Sequence, residues 1–412
     1  MIVKKSKKFR DYRNFQRRNM KKFFLFYEEI ISVIVLIFIF FIVRKGSERY
    51  TLALVLMGIA LIAAIIRKKR NTLSRCLLLS LIGYMILLFL SFVKINFDNK
   101  EYFMNYIIYG NFLFLLLSQL KIKEKYYKYY LEFFALCSLI ITIKAIKEWK
   151  AVGFQPGFRA SGDSFPTIFT IEIGIYALIA FTALLYSKGY IKKIVLLGIF
   201  GTACVGVIAV NTRSTLITLP LILVGMIVFR YKQSLKKRYL LVPLLAVFIV
   251  AQIPDTSKYF LRVKNMRKIE NIKKESRLKL WNEGLEKFQE NNYKALGYHY
   301  FEKNRLVSVV NEKNPHVHNN YLEILVTQGI GAAVFYLLFN IFLLRDMIYR
   351  IKKTKIESQK VMNYLGIAVL LFMNLAGLVD ANIYFKKANL LAFFIYSLAL
   401  CSVKKDEVDG NG

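Results

Sequence analysis

The chain has 412 residues, 56% of them hydrophobic, and carries 61 Lys/Arg against 26 Asp/Glu for a formal charge of +35. That much apolar sequence, gathered in blocks, excludes a soluble globular protein and predicts one that spans a membrane. The charge does not mark a nucleic-acid binder, because it alternates from loop to loop along the chain.

A helix needs about 20 apolar residues to cross a hydrocarbon core of ~30 Å. Twelve blocks are counted as helices: 24–43, 50–66, 76–93, 102–120, 129–146, 167–186, 193–210, 214–229, 239–253, 321–344, 361–379 and 387–402. With the N-terminus inside, the inner segments are 1–23, 67–75, 121–128, 187–192, 230–238, 345–360 and 403–412. They hold more than half of all Lys/Arg, the positive-inside pattern. The expectation is an all-α polytopic membrane protein with about twelve transmembrane helices, both ends inside, and one large, partly helical outer loop. Its parts are a basic arm (1–23), helices 1–9 (24–253), the loop (254–319), helices 10–12 (320–402) and an inner tail (403–412). No cleavable signal peptide is evident. Cys76, Cys137, Cys204 and Cys401 lie in or beside apolar blocks and show neither metal nor disulfide spacing.

Chemistry begins in the outer loop 147–166. Arg159 there is either an ordinary loop charge or a phosphate ligand. Glu172, a few residues into helix 6, is an ionisable group in an apolar segment, of the kind that usually faces a partner. Asn211-Thr212-Arg213-Ser214 makes a tight outer turn. Arg213 either anchors the helix by snorkelling or holds a lipid pyrophosphate, which its guanidinium fork suits.

The long loop holds Leu278, Trp281, Leu285 and Phe288 at helical spacing, which predicts an amphipathic helix with Arg277 flanking its apolar face. Gly297-Tyr298-His299-Tyr300-Phe301 follows as an aromatic turn, whose rings either stack on sugars or pack. The loop ends at Asn314-Pro315-His316-Val317-His318-Asn319-Asn320. Pro315 stops any preceding helix, and Asn320 with Glu323 reads as a capping box opening a long apolar helix from Tyr321 to Leu344. His318 then sits beside a helix N-terminus, whose dipole favours a neutral ring. His316-Val317-His318 is a weak metal signal, with no third ligand nearby in sequence, so no metal and no cofactor is expected. Asp380, in a short outer turn, is a further acidic candidate.

Three arginines and a histidine on one face fit glycosyl transfer from a lipid-pyrophosphate donor. The imidazole takes the proton of an acceptor hydroxyl, and the guanidinium groups steady the departing pyrophosphate. A transporter or lipid flippase is the reading from another class. Its paired charges belong near mid-membrane, whereas the polar residues here gather at one face.

These segments resemble the O-antigen ligase and O-antigen polymerase superfamily. Ser276-Arg277 through Trp281 to Leu285 is similar to the family's Arg/Trp segment. His318-Asn319, nine residues, then Gly329 is similar to its histidine motif. Thr212-Arg213-Ser214 and Phe158-Arg159-Ala160-Ser161-Gly162 resemble its two membrane-proximal arginine motifs. The resemblance implies a GT-C-like, inverting, metal-independent glycosyltransferase in the bacterial inner membrane, with cytoplasmic termini and a periplasmic site. The implied donor is an undecaprenyl-pyrophosphate-linked glycan. The acceptor is a lipid A–core sugar in the ligase branch and a lipid-linked glycan in the polymerase branch. By the same resemblance His318 is the base and Arg159, Arg213 and Arg277 bind pyrophosphate. Asn319, Trp281 and His316 support them. Partners are these lipids and the membrane, with no nucleic acid.

Overall fold

A computed structural model describes residues 27–44, 48–67, 73–96, 103–104, 106–155, 157–162, 165–231, 276–306 and 316–404. The ninth apolar block (239–253), the basic arm 1–23 and tail residues 405–412 lie outside the described residues. So do 254–275 and 307–315 of the long loop.

Each apolar block within the described residues falls on helix. The helices are α1 (residues 27–43), α2 (Glu48–Arg67), α3 (Arg75–Val93), α4 (Ile107–Leu117), α5 (Glu124–Ala151), α6 (Pro166–Tyr186), α7 (Tyr190–Val210) and α8 (Arg213–Tyr231). Beyond the long loop's α9 (Ser276–Glu290) come α10 (Asn320–Gln328), α11 (Ile330–Lys353), α12 (Glu357–Ala376) and α13 (Lys386–Leu400). Six of them, α3, α5, α6, α7, α11 and α12, are long and apolar enough to cross a membrane. The chain is therefore a multi-helix membrane protein, and six is the number of spans that length and composition support among the described residues.

Helix starts follow local chemistry. Pro166 opens α6 at a position where a missing N–H costs nothing. The Ser74 hydroxyl caps α3 by accepting from Leu77 N at 3.3 Å. Asn211 closes α7 in the left-handed conformation (φ 49°, ψ 50°), which Asn tolerates, and so lets α8 begin two residues later.

The bundle has two distinct ends. At one, β1 (Lys121–Lys123) pairs in parallel with β2 (Ser402–Lys404). Lys121 and Lys123 there reach Glu28 and Glu29 of α1 at 3.2 and 3.0 Å. The fifteen residues of α13 carry the chain about 22 Å away from this strand end. The other end collects the start of α13, the end of α12 and the residues following α9. It also holds the start of α8, because α8 and α12 run antiparallel. Phe229 late in α8 meets Tyr364 early in α12, with ring centroids 5.4 Å apart, and Leu221 and Leu371 line one apolar cavity.

Two expectations are corrected. The tenth block is not one helix, because Gly329 divides it. Its φ of +93° ends α10, and its N–H donates to Ile324 O and Leu325 O at 3.1 and 3.0 Å. The carbonyls of Val326 and Thr327, freed by the break, accept from Leu296 N and Gly297 N at 3.0 and 2.8 Å. Second, α9 is helical as its spacing predicts, but its buried face is rotated. Leu278 and Leu285 are exposed, while Leu280 and Phe288 are buried. The face turns inward at Gly284, where an added Cβ would come within 2.5 Å of Val317. Val317 fills that gap and completes a small core with Leu280, Phe288, Phe301 and Val326. The Tyr298–Phe301 turn packs: Tyr298, His299 and Phe301 are all buried.

Candidate active site

The site is assembled at the N-terminus of α10. The helix is capped by Asn319, one residue before the expected cap. Its Oδ1 accepts from Tyr321 N and Leu322 N, each at 3.0 Å. Glu323 does not close a capping box on Asn320. Its Oε2 instead accepts from Val317 N at 2.9 Å, and its Oε1 accepts from the Tyr384 hydroxyl at 2.8 Å. Val317 is thus held twice, by its side chain in the α9–α10 core and by its N–H on Glu323. The flanking rings of His316 and His318 lie together with centroids 4.2 Å apart. His318 adopts φ +55°, a left-handed conformation costing a non-glycine residue about 1–2 kcal/mol. The anchored neighbours Val317 and Asn319 maintain it.

Burial pushes the Glu323 carboxyl up to about 7, against the pull of its two hydrogen bonds. An unfolded Glu titrates near about 4.3. The folded state therefore binds this proton more tightly. Its contribution to stability is full below ~4.3 and is lost as pH rises through the folded value. Glu323→Gln keeps an acceptor for Val317 N–H without the titration. The wild-type melting midpoint in detergent is expected to fall between about pH 5 and 8, and the variant is expected to lack that component. Identical pH slopes would remove Glu323 as its source.

The second wall is the turn after α12. Asn320 N donates to Gly377 O at 2.7 Å, Asn319 Nδ2 to Leu378 O at 2.9 Å and Ile383 N to Asn320 Oδ1 at 3.1 Å. Asn320 Nδ2 also donates to Asn382 Oδ1. This clasp sets Asp380 against His318, with Nδ1 and Oδ1 3.2 Å apart. The Asp380 side chain is 1% exposed and that of His318 is 23% exposed, so only the histidine is open to a substrate. Ala381 N also donates to Asp380 Oδ1, at 3.1 Å.

Burial works against charge on Asp380. The hydrogen bond from His318, together with the positive charge of Arg277, holds the carboxyl below its ordinary range. An ionised Asp380 only accepts, so it favours the His318 tautomer with the proton on Nδ1, which leaves Nε2 as the acceptor. The sequence points only to the helix dipole at His318 and offers Asp380 no partner; in the fold the Asp380 carboxylate lies against the ring, with Oδ1 3.2 Å from Nδ1.

Burial, reinforced by His318, lowers His316 to about 3, and burial alone lowers His299 to about 4. All three histidines of the chain gather near Tyr384, with ring centroids of His299 and His316 at 4.2 and 6.3 Å from it.

The arginines fall into two groups at this end. Arg159 Nη2 donates to Thr212 Oγ1 at 3.3 Å, and Ala160 N donates to Ala209 O at 3.1 Å. The 157–162 loop is thereby docked on the turn that carries Arg213. Arg277, on α9, acts on Asp380 through its charge. Trp281 is half-buried and packs against the Val317 core. Asp380 also supplies what the histidine pair lacked in sequence: the ligand atoms of His316, His318 and Asp380 lie within 4.8 Å of one another.

Residues 194–337, from α7 into α11, match the family model described as O-antigen ligase. That segment is similar to the O-antigen ligase family. The resemblance read from the motifs holds over that segment, which contains Arg213, Arg277, His316 and His318. Arg159 and Asp380 lie outside the O-antigen ligase match, and the fold brings them to it. No curated protein matches the chain.

Proposed function

We propose that the chain transfers a glycan from undecaprenyl pyrophosphate to a sugar hydroxyl of lipid A–core, at the periplasmic face of a bacterial inner membrane. The observation that carries this reading is the His318–Asp380 pair, buried on the aspartate side and open on the histidine side. His318 Nε2 takes the proton of the acceptor hydroxyl as its oxygen attacks the anomeric carbon. The bond from that carbon to the pyrophosphate oxygen breaks, and undecaprenyl pyrophosphate leaves with the bonding electrons. Attack opposite the leaving group inverts the anomeric centre. Asp380 stabilises the imidazolium that forms, as a buried carboxylate does behind a histidine base. Arg159, Arg213 and Arg277 take up the charge that accumulates on the leaving group. The donor is already activated, so this route needs neither nucleotide nor metal. The lysine-rich strand end supports a cytoplasmic assignment for that end and for both termini.

The test is the surface glycan of a strain lacking the chain. Unmodified core together with accumulated long lipid-linked polymer is the expected result. Core bearing single repeats instead would make the chain a polymerase that extends one lipid-linked glycan with another, and wild-type surface glycan would end the transferase reading.

A further inference from the structure

We propose that His316, His318 and Asp380 bind a divalent transition-metal ion of the zinc class, and that the bound ion inhibits the enzyme by occupying His318. The second half rests on the function proposed above; the first does not.

Two independent observations carry the site. The three side chains present two imidazole nitrogens and one carboxylate oxygen, all within 4.8 Å of one another. That donor set suits zinc, nickel or copper(II) and not magnesium, which prefers oxygen. Separately, Asp380 Oδ2 is buried and accepts no hydrogen bond among the described residues. A buried anionic oxygen without a donor is costly, and a cation is one remedy. Tetrahedral zinc, with ligands at about 2.0–2.2 Å, needs its ligand atoms about 3.4 Å apart. His318 Nδ1 and Asp380 Oδ1 already meet at 3.2 Å, and the ligand atom of His316 lies within 4.8 Å of the other two ligand atoms. The partial exposure of His318 leaves a way in for the ion.

The site is built over the reacting group. An ion on His318 Nδ1 takes the place of the proton there, so the neutral ring carries its proton on Nε2, the atom that would receive the acceptor proton, and the ion adds positive charge where imidazolium must form. Zinc is therefore an inhibitor here, distinct from the metal of a metal-dependent transferase.

Zinc binding to untagged, detergent-purified protein is measured by equilibrium dialysis, beside transfer assays with and without zinc. One zinc per chain in the micromolar range is expected, with binding about tenfold or more weaker in His316→Gln. Zinc is also expected to suppress wild-type transfer, and a chelator to restore it. Circular dichroism checks that the variant is folded; if it is not, Asp380→Asn carries the same comparison. No stoichiometric zinc, or equal affinity in the folded variant, overturns the site whether or not the chain is a transferase. Tight zinc with undiminished transfer overturns inhibition and places His318 outside proton transfer.

Discussion

His318→Ala is expected to reduce glycan transfer by about 10²–10⁴-fold in a crude-membrane assay while the protein remains inserted. The size follows from what is removed. In the proposed mechanism Nε2 of His318 is the base, on a side chain that is partly exposed, and the other two histidines are poor replacements. His299 is buried, and burial with its neighbour's charge holds His316 well below the usual histidine range. The arginine groups are untouched, so donor binding should survive, and the loss should fall on kcat more than on KM for the donor. Transfer at the wild-type rate by an inserted His318→Ala protein would take this residue out of the mechanism.

Asp380→Asn is the second large effect, with an expected loss of about 10²–10⁴-fold. The substitution preserves size but removes the anion, and its amide can donate to Nδ1 and turn the ring to the wrong tautomer. Asp380 acts through His318, which makes a cleaner test than the single change. In a His318→Ala background, Asp380→Asn should cost little more, because there is no ring left to orient. Losses that simply multiply would mean that Asp380 acts on something else. A collapse of the fold is distinguishable, since Asp380→Asn retains the acceptor for Ala381 N–H and the Asn319–Asn320 clasp.

Much of this arrangement is legible in the residues alone. Apolar runs such as 76–93 and 167–186 become α3 and α6 because a chain with no more than one Asp, Glu, Lys or Arg over that length has one stable form in lipid. The histidine motif and its cap are local, and the reading misses the cap by one residue: Asn319 and Asn320 are equivalent in composition and differ only in which one faces Gly377. Long-range partners are harder. His318 and Asp380 are 62 positions apart, and nothing in the spacing announces that the turn after α12 folds back over α10. Glu323 looks like half of a capping box until Val317 is seen to be tucked into the gap at Gly284, which also explains why α9 buries Leu280 and Phe288 and leaves Leu278 outside. Gly329 sits in an apolar run, and its helix-breaking dihedrals depend on the 295–297 segment taking up the liberated carbonyls.

The Asn319–Asn320 clasp bears on how this corner can breathe. Its hydrogen bonds run between the backbone and amides of the same two neighbouring residues and a single turn. An outward swing of the α10 tip must therefore drag the turn with it, as one rigid piece. Imidazole and carboxylate therefore keep their alignment when this corner moves, and the proposed substrates would meet the pair intact.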